Sequence, residues 1–483
     1  MVLNNYELED SDDQPVSPTG QYFNSSVLSI AVLGVLESEI PIQEDDSITL
    51  KLIRDVFLPI NSRFSSIMVE DEKGVKKWKK VEVKPKDHIH VPNFPEGKSV
   101  EFYDECFNDY LSNLAMEKLP QNQPLWQIHI IKYPTKNAAG NLVFKLHHAL
   151  GDGFSLMGAL LSCLQRADDP SLPINFPTFR VNPRENEDDI GVCKKLPKLL
   201  SGIGNTVYDF VWGLLKSTIL EDDRTPIRSG SEGVEFLPIT ITTFSFSLDQ
   251  IKQIKVKLDV SINDVICGVI FLGTRIYMEA MNEEKRKEIS TALVLLNTRN
   301  IGGYKSVKEM VEPNTESSWG NQFGFLHVSV PKLTKSDSSK PLNFVFKAKE
   351  VIKKKRESAA VYLTGQLLET LRKYFGPEGT AKYVHSTLRN SSMTVSNLFG
   401  PVDQLALANH PAKGLYFMVV GVPQSLTITM VSYMKTLRLA IGVEKGFIDE
   451  NKFKLCILEA YNIMFKAAVD DSQPDDQCPT PTN

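Results

Sequence analysis

His147-His148-Ala149-Leu150-Gly151-Asp152-Gly153 decides the reading of this chain, because it lies between a strand-like run ending at Leu146 and a helix-like run starting near Phe154. A strand end holds a reactive side chain rigidly yet leaves it exposed. Residues 126–132 (WQIHIIK) and 142–146 (LVFKL) read as strands, and the turn-rich 135–141 (TKNAAGN) between them predicts an antiparallel hairpin leading into the two histidines. Residues 154–164 (FSLMGALLSCL) carry apolar side chains at helical spacing. A neutral imidazole suits removal of a hydroxyl proton at pH 7, so His148 is the candidate general base for acyl transfer to an alcohol. Asp152, four residues on, can fix the turn or hold a cation that stiffens it, while Gly151 and Gly153 permit a tight chain path. Taken alone, adjacent histidines after a strand could also cap the next helix or satisfy core hydrogen bonds. The chain has no GxSxG elbow and no catalytic-cysteine context, which argues against a covalent acyl-enzyme and for direct attack in a ternary complex.

Outward from the motif, strands and helices mix in both halves. Residues 239–248, 291–296, 324–330, 426–433 and 437–443 are strand-like, and 262–278 and 343–354 are helical. At 483 residues the chain can hold two or three domains of roughly 100–200 residues each. Two polar breaks, 179–189 and 221–233, are the linker candidates. Between them, at 198–220, Leu200, Ile203, Val207, Phe210, Val211, Leu214 and Leu215 recur at helical spacing while Ser201, Asn205, Asp209 and Lys216 face elsewhere. That predicts an amphipathic helix, packed on a domain or lying in a membrane interface with Tyr208 and Trp212 at headgroup level. It is a poor membrane span. The expected organisation is a disordered 1–13, a first domain over 14–189, helix and linker over 190–233, a second domain over 234–469 and a disordered 470–483.

Composition excludes some functions. Hydrophobic residues make up 42% and charged residues 23%, which is ordinary for a globular chain. A net charge of -5 gives no general attraction to nucleic acid, and the basic runs 76–80 and 353–356 are isolated. Six scattered cysteines lack CxxC spacing and fit a reducing compartment. His129 reads as a side chain on a strand face, and His88, His90, His327, His385 and His410 have no partners at metal-ligand spacing, so no metal is expected. The acidic residues 1–13 have neither the basic nor the apolar region of a secretory signal, so the protein is expected to begin in the cytosol.

Several further stretches stand out. Ser261 with Asp264 predicts a capping box, and Asn263 beside it could point into the site. Pro124-Leu125-Trp126 is expected to fix a strand entry and pack an indole in the core. Ser396-Asn397 with Gly400-Pro401 makes a turn suited to an oxyanion or CoA contact. Arg299 is a candidate cation for a buried carboxylate between domains.

The HHxxxDG pattern after a hairpin strand resembles the signature of the chloramphenicol-acetyltransferase-like acyltransferases, which include condensation domains and the plant BAHD enzymes. Pro124-Leu125-Trp126, Asn263-Asp264-Val265 and Ser396-Asn397-Leu398-Phe399-Gly400-Pro401 are similar to the wax ester synthase/diacylglycerol acyltransferase family, above all its plant branch. The resemblance runs from residues 15–23 (PVSPTGQYF) to the strands after Gly414. The DFGWG motif of BAHD enzymes is missing, and Ser318-Trp319-Gly320-Asn321 offers a different Trp-Gly pair. The resemblance implies an α/β fold of two chloramphenicol-acetyltransferase-like domains of mixed sheets and helices, with a tunnel at their interface and His148 midway along it. It implies His148 as general base with His147 in support, and Asp152 and Gly153 keeping the geometry. Gly153, Asn263, Ser396 and Asn397 are the expected substrate contacts. Acyl-CoA is expected as co-substrate with no bound cofactor, and fatty alcohol or diacylglycerol as acceptor. The expected setting is a membrane surface, the cytosolic face of the endoplasmic reticulum with the plasma membrane as a second site, without nucleic acid or an obligate protein partner. A phenolic or amine acceptor, and a catalytically silent lipid-binding protein, stay open as alternatives.

Overall fold

The computed structural model describes residues 14–42, 46–72, 76–175, 192–282, 288–299, 319–334, 337 and 340–470. The expected disordered segment 1–13 and the break at 179–189 lie outside the described residues, as does the expected disordered 470–483 except for Asp470, which ends helix Glu450–Asp470.

Strand Gly140–His147 is buried along its whole length. Its residues alternate between two covered faces. Leu142, Phe144 and Leu146 join one apolar cluster with Leu125, Trp126 and Leu156, while Val143 joins another with Leu33, Val35 and Phe107. The hairpin expected from the sequence is present, with Trp126–Ile131 antiparallel to it. Together they form the middle of a seven-stranded sheet in the order Ile89–His90, Trp126–Ile131, Gly140–His147, Ala31–Ser38, His410–Val420, Leu405–Leu407, Gln165–Arg166. A second sheet of six strands runs Phe323–Ser329, Thr291–Asn297, Met393–Leu398, Leu426–Tyr433, Thr436–Glu444, Ile239–Ser247. Its Met393–Leu398 strand is parallel to both neighbours. Helices Ile262–Met281, Asn343–Glu357 and Glu450–Asp470 cover one face of this sheet, and their residues fill its largest core.

One feature departs from a simple division in sequence. Strands Leu405–Leu407 and His410–Val420, inside the expected second domain 234–469, belong to the first sheet. His410–Val420 pairs antiparallel with Ala31–Ser38 over its length. Without it the Ala31–Ser38 strand would present an open edge. The boundary at 189/234 is therefore crossed by backbone pairing, and the two halves interlock.

The break at 221–233 is no loose linker. Asp222 is buried and accepts from Lys216 Nζ at 2.5 Å, from Thr291 N at 2.6 Å and from Ser392 Oγ at 2.6 Å. Arg228, also buried, donates to the Asp222 carbonyl at 2.6 Å. Charged residues in a polar stretch read as solvated from sequence; here they pair with one another and with the second sheet. The helix before them spans Val192–Thr218. Its expected polar side is partly reversed, since Asp209 and Lys216 are buried while Val207, Tyr208 and Val211 face outward. Asp209 accepts from Lys355 at 2.7 Å.

Removing one member of a buried ion pair strands its partner's charge, at a cost of about 3–5 kcal/mol. Asp222→Ala is therefore expected to lower the thermal unfolding midpoint markedly, whereas Asp249→Ala, which breaks the exposed pair with Lys252, should leave it nearly unchanged. Differential scanning calorimetry of the two variants checks this.

Candidate functional site

Backbone hydrogen bonds clamp the end of the motif strand from both sides. His147 N donates to the Leu125 carbonyl at 3.0 Å and His148 N donates to the Ile30 carbonyl at 2.9 Å. Pro124-Leu125-Trp126 thus does fix the strand, through the Leu125 carbonyl. The Trp126 indole is fully buried, donates to the Phe64 carbonyl at 2.8 Å and stacks on His88 with ring centroids 4.1 Å apart. After His148 the chain turns at once, with Leu150 N donating to the His147 carbonyl at 3.0 Å. Arg63 and Trp319 both donate to the Leu150 carbonyl, at 3.1 Å and 2.7 Å. Gly151 is required by crowding, because a Cβ there would come within 2.9 Å of Ser155 Cβ.

The two histidines do different things. Ala149 N donates to His147 Nδ1 at 3.1 Å, so the His147 proton sits on Nε2, which faces Ser29 Oγ at 3.4 Å. Burial, then the neighbouring His148 and two lysines, push its pKa down to about 3. His147 is a neutral brace of the turn. His148 meets Asn321 instead. Asn321 Nδ2 donates to the His148 carbonyl at 2.9 Å, which turns Oδ1 toward the ring, 2.8 Å from Nδ1. A carbonyl oxygen only accepts, so Nδ1 carries the proton and Nε2 keeps its lone pair. Nε2 has no hydrogen-bond partner among the described residues. Burial lowers the His148 pKa, partly offset by Asp152 and the Asn321 hydrogen bond. The ring is neutral at pH 7.

Apolar rings wall this imidazole. Phe23, from helix Pro18–Phe23, meets it edge-on with centroids 5.0 Å apart, and Phe323 lies at 5.5 Å. These rings come from the two halves of the chain and stack on each other with centroids 6.0 Å apart, and His148 retains 5% exposure beside them.

Asp152 caps helix Gly153–Ser162, accepting from Ser155 N at 3.0 Å. Its carboxylate takes both arms of Arg299, Nη1 at 2.6 Å and Nη2 at 3.0 Å, and also Gln322 N at 2.9 Å. Arg299 is thus the cation paired with a buried carboxylate between the halves, as expected. Asp152 makes no hydrogen bond to either histidine; it holds the turn and ties it to the second half.

The remaining expected contacts gather around strand Met393–Leu398. A Cβ on Gly153 would lie 3.2 Å from Leu398 Cδ1, so the motif turn and the end of this strand touch. Ser261 and Asp264 form the expected capping box. Asn263 accepts from Asn397 Nδ2 at 3.3 Å, and Asn397 Oδ1 is buried with no partner among the described residues. Ser396 is buried on the same strand. His129, expected to be a plain strand residue, is buried, bonds Tyr110 at 2.8 Å and stacks on His90. Asn321, Phe23 and Phe323 are site residues the sequence reading did not single out, although the first two fall in quoted stretches.

The wax ester synthase/diacylglycerol acyltransferase catalytic-domain pattern matches residues 74–266, and the C-terminal domain pattern of the same family matches 319–465. Arabidopsis thaliana wax ester synthase/diacylglycerol acyltransferase 4 is 26% identical over 93% of this chain and 88% of its own length. Arabidopsis wax ester synthase/diacylglycerol acyltransferase 6 is 27% identical, over 96% and 95%. Among solved structures, the wax ester synthase/diacylglycerol acyltransferase of Marinobacter aquaeolei VT8 superposes with a TM-score of 0.58 at 14% identity, covering 94% of this chain and all of that one. The starter condensation domain of rhizomide synthetase shares the fold at a TM-score of 0.51 and 11% identity, covering 96% of each chain. With two domain patterns of one family matched in order along the chain and relatives aligned end to end, the protein belongs to the wax ester synthase/diacylglycerol acyltransferase family of acyltransferases.

Proposed function

We propose that this acyltransferase moves a fatty acyl group from acyl-CoA to the hydroxyl of a long-chain alcohol or of diacylglycerol, giving a wax ester or a triacylglycerol, with His148 as general base. The observation that carries the reading is the free lone pair on His148 Nε2, fixed by the Asn321 contact on Nδ1. Nε2 takes the hydroxyl proton as the oxygen attacks the thioester carbon. The tetrahedral oxyanion then collapses, the carbon–sulfur bond breaks, and the Nε2 proton goes to the leaving thiolate. The Phe23 and Phe323 rings favour an apolar acceptor over a charged amine. Asn397, Ser396 and Gly153, on the strand and turn that meet at Leu398, and Asn263, on the first turn of helix Ile262–Met281 and bonded to Asn397, remain the proposed substrate contacts.

The outward Val207, Tyr208 and Val211 of helix Val192–Thr218 support a membrane surface as partner, where both acceptors partition. No helix among the described residues is long and apolar enough to cross a membrane. The cytosolic face of the endoplasmic reticulum is the proposed location, on the strength of the family resemblance.

His148→Ala is expected to cut turnover of palmitoyl-CoA with hexadecanol or diacylglycerol by roughly 100- to 10,000-fold while the thermal midpoint stays put. A folded variant with wild-type ester synthesis would end the assignment, and a panel including phenols and amines reads the acceptor class from the product. Because burial lowers the His148 pKa, its neutral form persists into acid, and the acid limb of the kcat/KM profile is expected below the ordinary imidazole value of about 6.5. A limb above 6.5 would contradict this. Replacing Val207, Tyr208 and Val211 together by serine is expected to move the protein from vesicle pellets to the supernatant; an unchanged distribution removes the helix from membrane binding.

A further inference from the structure

Asn321 is held in place through its two chain neighbours, Gly320 and Gln322. Gly320 before it is gripped by Ser155, whose Oγ donates to the Gly320 carbonyl at 3.1 Å and lies 3.2 Å from Gly320 N. Arg299 Nη2 donates to the same carbonyl at 2.6 Å, and Asp152 N does so at 3.3 Å. Gln322 after it is gripped by Asp152, through Gln322 N to Oδ2 at 2.9 Å. With both neighbours pinned, the Asn321 side chain has one place to go. Gly320 has φ of 130°, a left-handed value that glycine adopts freely, and this turn aims the next residue at the first half. Two hydrogen bonds then join Asn321 to His148, one to the ring and one to the backbone carbonyl.

We infer that Asn321 is the positioning residue that selects the His148 tautomer, and that Asp152, Arg299 and Ser155 serve catalysis by delivering Asn321 across the junction. The inference rests on the reading of His148 as base and adds what sets that base. An unpartnered imidazole has two neutral tautomers close in energy, and the one protonated on Nε2 presents a proton where a lone pair is needed. An acceptor fixed on Nδ1 disfavours that tautomer. It also fixes the ring plane between Phe23 and Phe323. The motif aspartate, four residues beyond the base, thereby acts on it through a residue 173 positions away in sequence. Asp152, with Arg299 behind it, and His147 are the titratable groups facing His148, and none of them bonds its ring.

Two measurements on the full-length protein test this. In histidine labelled with nitrogen-15, the His148 resonances, identified by their loss in His148→Ala, should show a protonated Nδ1 and a bare Nε2 in the wild type and a mixture of tautomers in Asn321→Leu. In ester synthesis from palmitoyl-CoA and hexadecanol, Asn321→Leu should lower kcat on the order of 10- to 100-fold, as for other groups that orient a histidine, with little change in KM. Asn321→Asp keeps an acceptor on Nδ1 and adds negative charge, so it should retain more activity than leucine and move the acid limb of the profile to higher pH. The wild-type tautomer persisting in folded Asn321→Leu would overturn the inference, as would an acid limb in Asn321→Asp that does not rise. Should Asn321→Leu fail to fold, Asn321→Asp and its pH profile decide. Full activity in His148→Ala would instead remove the base assignment and leave the tautomer result standing, so the two failures are separable.

Discussion

A buried, two-armed ion pair between Asp152 and Arg299 is the constraint on which the rest of this site depends. Bringing a carboxylate and a guanidinium out of water is costly, and the cost is offset only when geometry is good and the remaining lone pairs are satisfied. The geometry is good and most of the remaining polar atoms are satisfied, with Arg299 Nε left without a partner among the described residues. The carboxylate also accepts Ser155 N and Gln322 N, and the guanidinium also reaches the Gly320 carbonyl and Ser155 Oγ. Asp152 comes from the turn after the motif strand and Arg299 from beyond strand Thr291–Asn297, so the pair fixes one half of the molecule against the other. Electrostatic satisfaction, more than apolar area, sets the register of the junction at this point.

That register has chemical consequences. The proposed base, His148, lies on the first half, while Asn321, which faces its Nδ1, lies on the second. The rings that wall it come from both, Phe23 near the start of the chain and Phe323 on the edge strand of the second sheet. A site divided in this way is assembled only when the halves meet correctly. The interlocking of the sheets supports the same arrangement, because His410–Val420 leaves the second half to complete the first sheet beside the motif strand's own neighbour.

Much of this was legible in the residues. The HHxxxDG turn, the hairpin before it, the helix after it and the Ser261–Asp264 capping box rest on local rules of alternation, turn chemistry and capping, and the structure shows each within a few residues of its expected bounds. Arg299 was legible as a cation in search of a carboxylate. What stayed hidden was set by tertiary pairing. Residues 410–420 (HPAKGLYFMVV) are not among the stretches read as strands, and nothing local says which sheet gains them. Asp209 and Lys216 read as the polar side of a helix and Asp222 as part of a polar break, since a charge gives no sign of a buried partner until the fold supplies one. Helix Ala360–Arg389 is interrupted at Gly376, with φ of 71°, and the following Pro377, which hides a long helical run from a periodicity reading. Asn321 was quoted for its Trp-Gly neighbours and not for itself, because an asparagine carries no signal of the ring it will meet.

The account stands on one lone pair facing the reacting hydroxyl. A crystal structure with a long-chain alcohol and a non-transferable acyl-CoA analogue bound tests that claim most directly. The alcohol oxygen is expected within about 2.6–3.2 Å of His148 Nε2, with Asn321 still on Nδ1. A ternary complex in which the hydroxyl meets another base, or in which His148 turns Nε2 away from both ligands, would contradict it.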